Sequence, residues 1–311
     1  MRRSEAARGA FTVVEMMIVV GVLAVLMALL LPAVQRAREV ARRAQCAGHL
    51  KQLALGLHNY HMAWGAFPPG YFSEARTTPD GSGTFEAGPG WAWGTLALPF
   101  VEQSHLYNAC NFHRPIAAPE SWTVRTAALP LLLCPSEGRT APASFHAKSA
   151  VGIPTDLAPS SYVGCGGTVV DPPDGIRDGV FDRDVARPLR DVTDGTGNTF
   201  LLGERSRALA DATWVGVVPG AVHATDPAWP VRSSGHACAM VLGFTDPSHR
   251  SPRGLNSMQA DHAAFRGPHP GGANFAMVDG SVRFQKDSMA PPVYGSHATY
   301  RGGEVVSCDC Y

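Results

Sequence analysis

The residues of this chain that could do chemistry are its histidines, aspartates and cysteines, and their spacing limits what that chemistry would be. His269 is followed, after nine intervening residues, by Asp279-Gly280. A histidine and an aspartate could serve a hydrolase, but such an enzyme also needs a nucleophile and a base within hydrogen-bond reach, and spacing across a hairpin does not supply them. Structural work is expected of both residues instead, with Asp279 shaping a turn and His269 bonding to the incoming strand. Asp174, Asp178 and Asp182, with Asp184 close behind, form one acidic cluster, and Asp191 with Asp194 forms another. Clustered carboxylates with loop carbonyls suit calcium. Neither cluster fits an EF-hand loop, so solvated acidic turns are expected, with calcium at Asp174, Asp178 and Asp182 as the alternative. His58 and His61 lie one helical turn apart and could share a metal, yet no paired carboxylate motif accompanies them; packing or capping is expected. Gly164-Cys165-Gly166-Gly167 is too short a glycine cluster for a phosphate site, and there is no Walker-type loop. Neither a cofactor nor an enzymatic activity is expected.

Positioning falls to elements set out by the hydrophobic pattern. A leader with Arg2, Arg3 and Arg8 precedes Gly9-Ala10-Phe11-Thr12-Val13-Val14-Glu15, and an unbroken apolar run follows from Met16 to Leu31. Phe11 to Val34 is long enough to cross about 30 Å of hydrocarbon as a helix. The arginines place its start in the cytoplasm by the positive-inside rule, so the body faces outward. Glu15, an ionisable group at the edge of the span, is expensive there and marks a function or a partner, the bland alternative being a glutamate at headgroup level. Pro32 removes a backbone hydrogen bond and bends or loosens the helix. Beyond it, Leu50, Leu53, Ala54, Leu57, His61 and Trp64 keep helical spacing, while Arg36, Arg38, Arg42, Arg43 and Lys51 fall mainly elsewhere on the wheel.

This amino-terminal pattern resembles a type IV prepilin. The resemblance implies cleavage by a prepilin peptidase after Ala10, methylation of the new terminus at Phe11, and a contact between Glu15 and the terminus of a neighbouring subunit. Cleavage after Gly9 is the alternative, and it puts Glu15 one place out of register. Pilins typically carry a proline where Pro32 stands. The implied layout is a leader over 1–10, a transmembrane or filament helix over 11–34, its amphipathic continuation over 35–66, and a globular domain over 67–311.

The formal charge is +0, and removing residues 1–10 takes away three arginines and one glutamate, leaving the remainder slightly acidic. That speaks against a nucleic-acid partner; the basic stretch from Arg36 to Arg43 is read as a solvated helix face. With 33 Gly and 25 Pro, and 45% hydrophobic residues, the chain after Ala66 reads as short strands joined by many turns. Phe67-Pro68-Pro69-Gly70 ends the helix. Thr77 to Gly90 reads as a surface loop, and Leu96 to Asn108 as a short helix interrupted at Pro99. Strands are expected at Ser161–Gly164, Thr199–Gly203, Thr213–Val218 and Ala239–Phe244. The clearest hairpin joins Ala273–Val278 to Ser281–Gln285 through Asp279-Gly280, in a type I′ turn. Seven cysteines in an exported domain point to disulfides and leave one over. Cys308-Asp309-Cys310 offers two thiols, too few for zinc on their own.

A second resemblance covers nearly the whole chain. Ala33-Val34-Gln35-Arg36-Ala37-Arg38-Glu39, Leu50-Lys51-Gln52-Leu53, Leu57-His58-Asn59-Tyr60-His61, Phe67-Pro68-Pro69-Gly70, Trp93-Gly94-Thr95, Asp191-Val192-Thr193-Asp194-Gly195, Gly203-Glu204 and Gly302 to Ser307 are similar to segments of the bacterial prepilin-like family known as domain of unknown function 1559. Its carboxyl signature, a histidine, nine residues and Asp-Gly, is met by His269, Asp279 and Gly280. The resemblance implies an α+β fold of type IV pilin or pseudopilin kind, with a long amino-terminal helix packed on a globular domain built on an antiparallel sheet. It also implies that Cys46 and Cys134 are the first cysteines to pair. The expected protein is a single-pass subunit of the bacterial inner membrane, with its globular domain periplasmic or on the surface. Its expected partners are the prepilin peptidase and other pilin-like subunits. The rival is an anchored solute- or glycan-binding protein using Trp64, Trp91, Trp93, Trp122, Trp214 and Trp229 as stacking surfaces.

Overall fold

The computed structural model describes residues 12–77, 84–137, 144–148, 154–170, 177–218, 237–246, 254–257 and 260–304. Its first element, α1 (Val13–Trp64), is a helix of 52 residues that continues through Pro32. The chain forms two compact units, residues 1–42 and 43–311, and α1 contributes to both. In the first unit the large apolar side chains from Val13 to Leu31 are exposed. This stretch is long and apolar enough to cross a membrane and is a candidate anchor.

In the second unit α1 turns one stripe inward: Cys46, Leu50, Leu53, Ala54 and Leu57 are buried. Burial of each leucine contributes roughly 1.5–3 kcal/mol. The stripe stops earlier than its spacing predicts, because His61 is only half-buried and Trp64 is 71% exposed. Gly65 adopts a left-handed φ of 77° directly after α1, a conformation that costs glycine little and ends the helix.

Four short helices and eleven strands follow among the described residues. The stretch expected as one interrupted helix is α2 (Trp93–Ala97), a 3-10 turn at Leu98–Val101 and α3 (Ser104–Asn108), with Pro99 at the start of the 3-10 turn. Then come α4 (Trp122–Arg125) and, near the carboxyl end, α5 (Pro291–Ser296). Two antiparallel ribbons pair β1 (Glu74–Thr77) with β2 (Thr84–Ala87) and β3 (Phe145–Lys148) with β4 (Pro154–Leu157). The second strand of the first ribbon, β2, falls inside the segment expected to be a loop. A further small pair joins β5 (Pro159–Ser160) to β8 (Ala212–Thr213).

The main sheet contains β6 (Tyr162–Gly167), β7 (Phe200–Glu204), β9 (Leu242–Phe244), β10 (Gly272–Met277) and β11 (Val282–Lys286), in the order β11-β10-β7-β6-β9. Three of its pairings are antiparallel and β6–β9 is parallel. An all-antiparallel sheet therefore needs correcting at this edge, where the long connection between β6 and β9 permits a crossover. Two expected strands are shorter than their apolar runs. Of the expected run Thr213–Val218 only Thr213 lies in a strand, Gly216 makes an isolated bridge to Trp91, and Ala237–Met240 makes a 3-10 turn before β9 begins. Both runs are buried without being strand, and alternation cannot distinguish those two outcomes.

The sheet's two faces show why particular glycines stand where they do. Phe200 and Phe275 stack at 4.1 Å across β7 and β10. Phe265 lies so close to β7 and β9 that a Cβ at Gly203 or Gly243 would fall 2.5 or 2.4 Å from its ring. Trp93 is fully buried and donates its indole N–H to the Val241 carbonyl at 3.1 Å.

Candidate functional site

Four chemically capable side chains meet where α1, the segment before β3, β7 and the approach to β10 converge. Cys46 on α1 and Cys134 are joined by a disulfide with a Cα–Cα distance of 5.4 Å. The Cys134 sulfur lies 3.6 Å from His269 Nε2, which is 3.3 Å from Glu204 Oε1. Glu204, the last residue of β7, also accepts hydrogen bonds from the Asn274 backbone N–H at 2.8 Å and its side-chain Nδ2 at 2.9 Å. The four ligand-type atoms lie within 4.8 Å of one another, and all four residues are buried. Around them, Tyr162 Oη donates to the Cys46 carbonyl at 3.4 Å, and the Cys134 backbone N–H donates to Ser161 Oγ at 3.0 Å. Burial pushes the Tyr162 hydroxyl pKa up, with Glu204 adding to the effect.

Sequence reasoning named Cys46, Cys134 and His269 but gave Glu204 no role. The signal was an acidic residue closing an otherwise apolar strand, Phe200-Leu201-Leu202-Gly203-Glu204. A buried carboxylate needs a partner. Next in sequence, fully buried Arg205 donates to the carbonyls of Ala239, Leu242, Ala263 and Ala264. It ties β9 and the segment before β10 to the end of β7, and desolvation pulls its pKa down to about 10.

His269 and Asp279 do different jobs. His269 belongs to the buried cluster and its backbone bridges to Gly272 at the start of β10. Asp279 sits at the exposed tip of the β10–β11 hairpin, where its Oδ1 accepts the Ser281 N–H at 2.7 Å. The hairpin closes with Gly280 N–H to Met277 O and Met277 N–H to Ser281 O. Gly280 has a positive φ of 79°, whereas Asp279 is absent from the positive-φ residues. A type I′ turn needs both, so the expected two-residue loop is replaced by a three-residue loop with glycine in the left-handed bulge position. Lys51 Nζ on α1 donates to the Gly280 carbonyl at 2.6 Å, fastening the hairpin to the helix.

The remaining candidates are occupied by structural contacts. Asp182 is buried between Arg177 and Arg187 at 2.9 and 3.5 Å, and Asp178 accepts the Thr168 backbone N–H and hydroxyl. Asp184 accepts the Ser73 N–H, and Asp194 accepts the backbone N–H groups of Gly302 and Gly303. Asp174, Cys308 and Cys310 lie outside the described residues, as do Gly9, Ala10 and Phe11. His58 and His61 bracket Phe67, with ring centroids 5.5 and 5.1 Å away, and His61 Nε2 accepts the Leu189 N–H. The unbridged cysteines described are Cys110, Cys165 and Cys238; burial pushes the thiols of Cys110 and Cys165 up to about 12, which leaves them unreactive.

Glu15 has a partner within its own helix. Its carboxylate accepts the Thr12 N–H at 2.9 Å and the Thr12 hydroxyl at 2.8 Å, while the Glu15 N–H donates to Thr12 Oγ1 at 3.3 Å. This is a capping box, legible in the Thr-x-x-Glu spacing.

Two half-buried histidines and a buried one make stability depend on pH. Desolvation lowers the pKa of His49, His58 and His297 from the ordinary 6.5. The unfolded chain then takes up protons first as pH falls, so their contribution is present above about 6.5 and lost on acidification towards the lowered folded values. Thermal melts should show Tm falling between pH 7 and 5.5, and replacing all three by glutamine should flatten that slope.

Trp91, Trp93 and Trp214 are fully buried, Trp64 and Trp122 are 71% and 55% exposed, and Trp229 lies outside the described residues. An apolar cavity of about 60 Å³ is lined by Leu53, Leu98, Val101 and Leu132 among others, and a cleft of about 330 Å³ by Thr168, Thr245, Asp246 and Pro292 among others. No tryptophan lines either one.

Residues 35–291 match the model of a family described as a protein of unknown function, DUF1559. No curated protein and no solved structure matches the chain.

Proposed function

This chain belongs to the DUF1559 family, and from that premise we propose that it is a non-enzymatic, pilin- or pseudopilin-like subunit anchored in the bacterial inner membrane. The family and the long apolar helix fit a membrane-anchored surface protein. The observation that carries the finer reading is α1 itself: one helix is bare and apolar over its first half and buries a stripe in the globular unit over its second. A helix of that kind suits storage in the bilayer and later transfer into a helical filament core.

The proposed sequence of events has three steps: prepilin peptidase cuts after Ala10, the new amine of Phe11 is methylated, and Glu15 pairs with the terminus of a neighbouring subunit during docking. Arg2, Arg3 and Arg8 favour a cytoplasmic leader and an outward-facing body. The Thr12–Glu15 capping box sharpens the test, because glutamine at position 15 preserves the cap while removing the charge. Glu15→Gln and Glu15→Leu should both remain in the membrane fraction and both fail to enter sheared filaments or cross-linked oligomers. Wild-type incorporation of Glu15→Gln would refute the docking role and leave Glu15 as a helix cap.

A further inference from the structure

We propose that the thiol form of this protein binds a divalent, borderline-soft cation such as zinc through Cys46, Cys134, His269 and Glu204, so that the disulfide and the metal are alternative cross-links of the same two segments. The cluster offers two sulfurs, one imidazole nitrogen and one carboxylate oxygen, a donor set that zinc accepts in tetrahedral geometry. Metal–sulfur and metal–nitrogen bonds of about 2.3 and 2.0 Å place neighbouring ligands roughly 3.3–3.8 Å apart. Two of the separations already have that size: 3.6 Å from Cys134 Sγ to His269 Nε2 and 3.3 Å from His269 Nε2 to Glu204 Oε1. The two sulfurs must move apart, and no ligand-type atom in the group is more than 4.8 Å from another.

The surroundings are those of a held site. Asn274 grips Glu204 with two hydrogen bonds, and Ser161 Oγ accepts the Cys134 backbone N–H. Supports of this type fix ligand orientation in metal centres. Glu204 is fully buried, and the basic side chain at 3.3 Å from its carboxyl group is the imidazole of His269. Two thiolates added beside it would leave the pocket strongly negative, a charge that a divalent cation balances.

The redox step is a thiol–disulfide exchange. A dithiol delivers two electrons and two protons to the Cys46–Cys134 bond and becomes a cyclic disulfide, leaving two thiols in the protein. Binding of the cation then releases the thiol protons to solvent. Exchange with a disulfide oxidant re-forms the bond and expels the cation.

The test uses the full-length protein in detergent, in a background where Cys308→Ser and Cys310→Ser remove the tail thiols. After reduction with dithiothreitol and anaerobic desalting, the protein should retain one equivalent of zinc, and cobalt should give thiolate charge-transfer absorption. The oxidised protein should retain none, and His269→Gln should weaken the reduced site more than about tenfold. Zinc should also raise the Tm of the reduced protein, since it binds only the folded form. If the reduced chain needs metal to fold, Cys46→Asp, which cannot form the disulfide but offers a carboxylate, should show a zinc-dependent rise in Tm without reductant. Absence of zinc binding in the reduced wild type and of any Tm rise in Cys46→Asp overturns the proposal. So does equal zinc binding by the oxidised protein or by reduced His269→Gln.

Discussion

Replacing Cys46 and Cys134 together by alanine is expected to destabilise the globular unit by about 4–5 kcal/mol, the cost of releasing a long closed loop in the unfolded chain. The cysteines are 88 residues apart, and the bond fastens the inward stripe of α1 to the segment before β3. With whole domains stable by roughly 5–15 kcal/mol, this is a large share of the total. For a unit of this size it should lower Tm by about 10 °C or more. Thermal melts of the double variant beside the oxidised wild type measure it. A loss below about 1 kcal/mol would mean that the buried leucines of α1 hold the helix in place without help, contrary to the entropic argument.

His269→Ala is expected to cost about 3–5 kcal/mol, because it leaves the Glu204 carboxyl group buried without the imidazole that faces it at 3.3 Å. The penalty belongs to the orphaned charge more than to the lost contact, so removing the charge should restore stability. His269→Gln with Glu204→Gln should therefore recover much of what His269→Gln alone loses, since neutral amides can keep bonding to each other and to Asn274. A double-mutant cycle over these two positions reads the coupling. Additive losses would show that Glu204 is satisfied by Asn274 alone and that the contact with His269 is idle.

Both predictions concern residues that the sequence revealed unequally. The stripe Leu50-Leu53-Ala54-Leu57 was visible because helical periodicity persists wherever one face is buried. It overran at Trp64 because an aromatic residue continues the spacing whether or not anything covers it. The hairpin around Asp279-Gly280 was legible, but its loop length was not: the same dipeptide serves a two-residue turn or a glycine bulge, and the register of β10 against β11 decides between them. Thr213–Val218 and Ala239–Phe244 were apolar enough for strands, yet only Thr213 of the first and Leu242–Phe244 of the second are strand, and the rest are buried in irregular backbone. The parallel β6–β9 pair was beyond reach, since local patterns do not encode which distant strand becomes a neighbour. Glu204 was seen only as part of a motif. Its meaning depends on three-dimensional convergence with His269 and Cys134, which come from other segments of the chain.

That convergence also bears on how the carboxyl signature is understood. His269, Asp279 and Gly280 bracket β10, with the histidine in the core, the aspartate and glycine at the hairpin tip, and Lys51 of α1 bonded to Gly280. In this arrangement the histidine holds the start of β10 to the core, the aspartate shapes the turn, and Lys51 fastens the tip to α1.

The most direct test of the proposed prepilin identity is mass spectrometry of the amino-terminal peptide from native membranes, with and without the host's prepilin peptidase. The proposal predicts a peptide beginning with methylated Phe11 that disappears in the peptidase mutant. An intact leader, or an unmethylated terminus in both strains, would contradict it and leave an anchored protein with a different role.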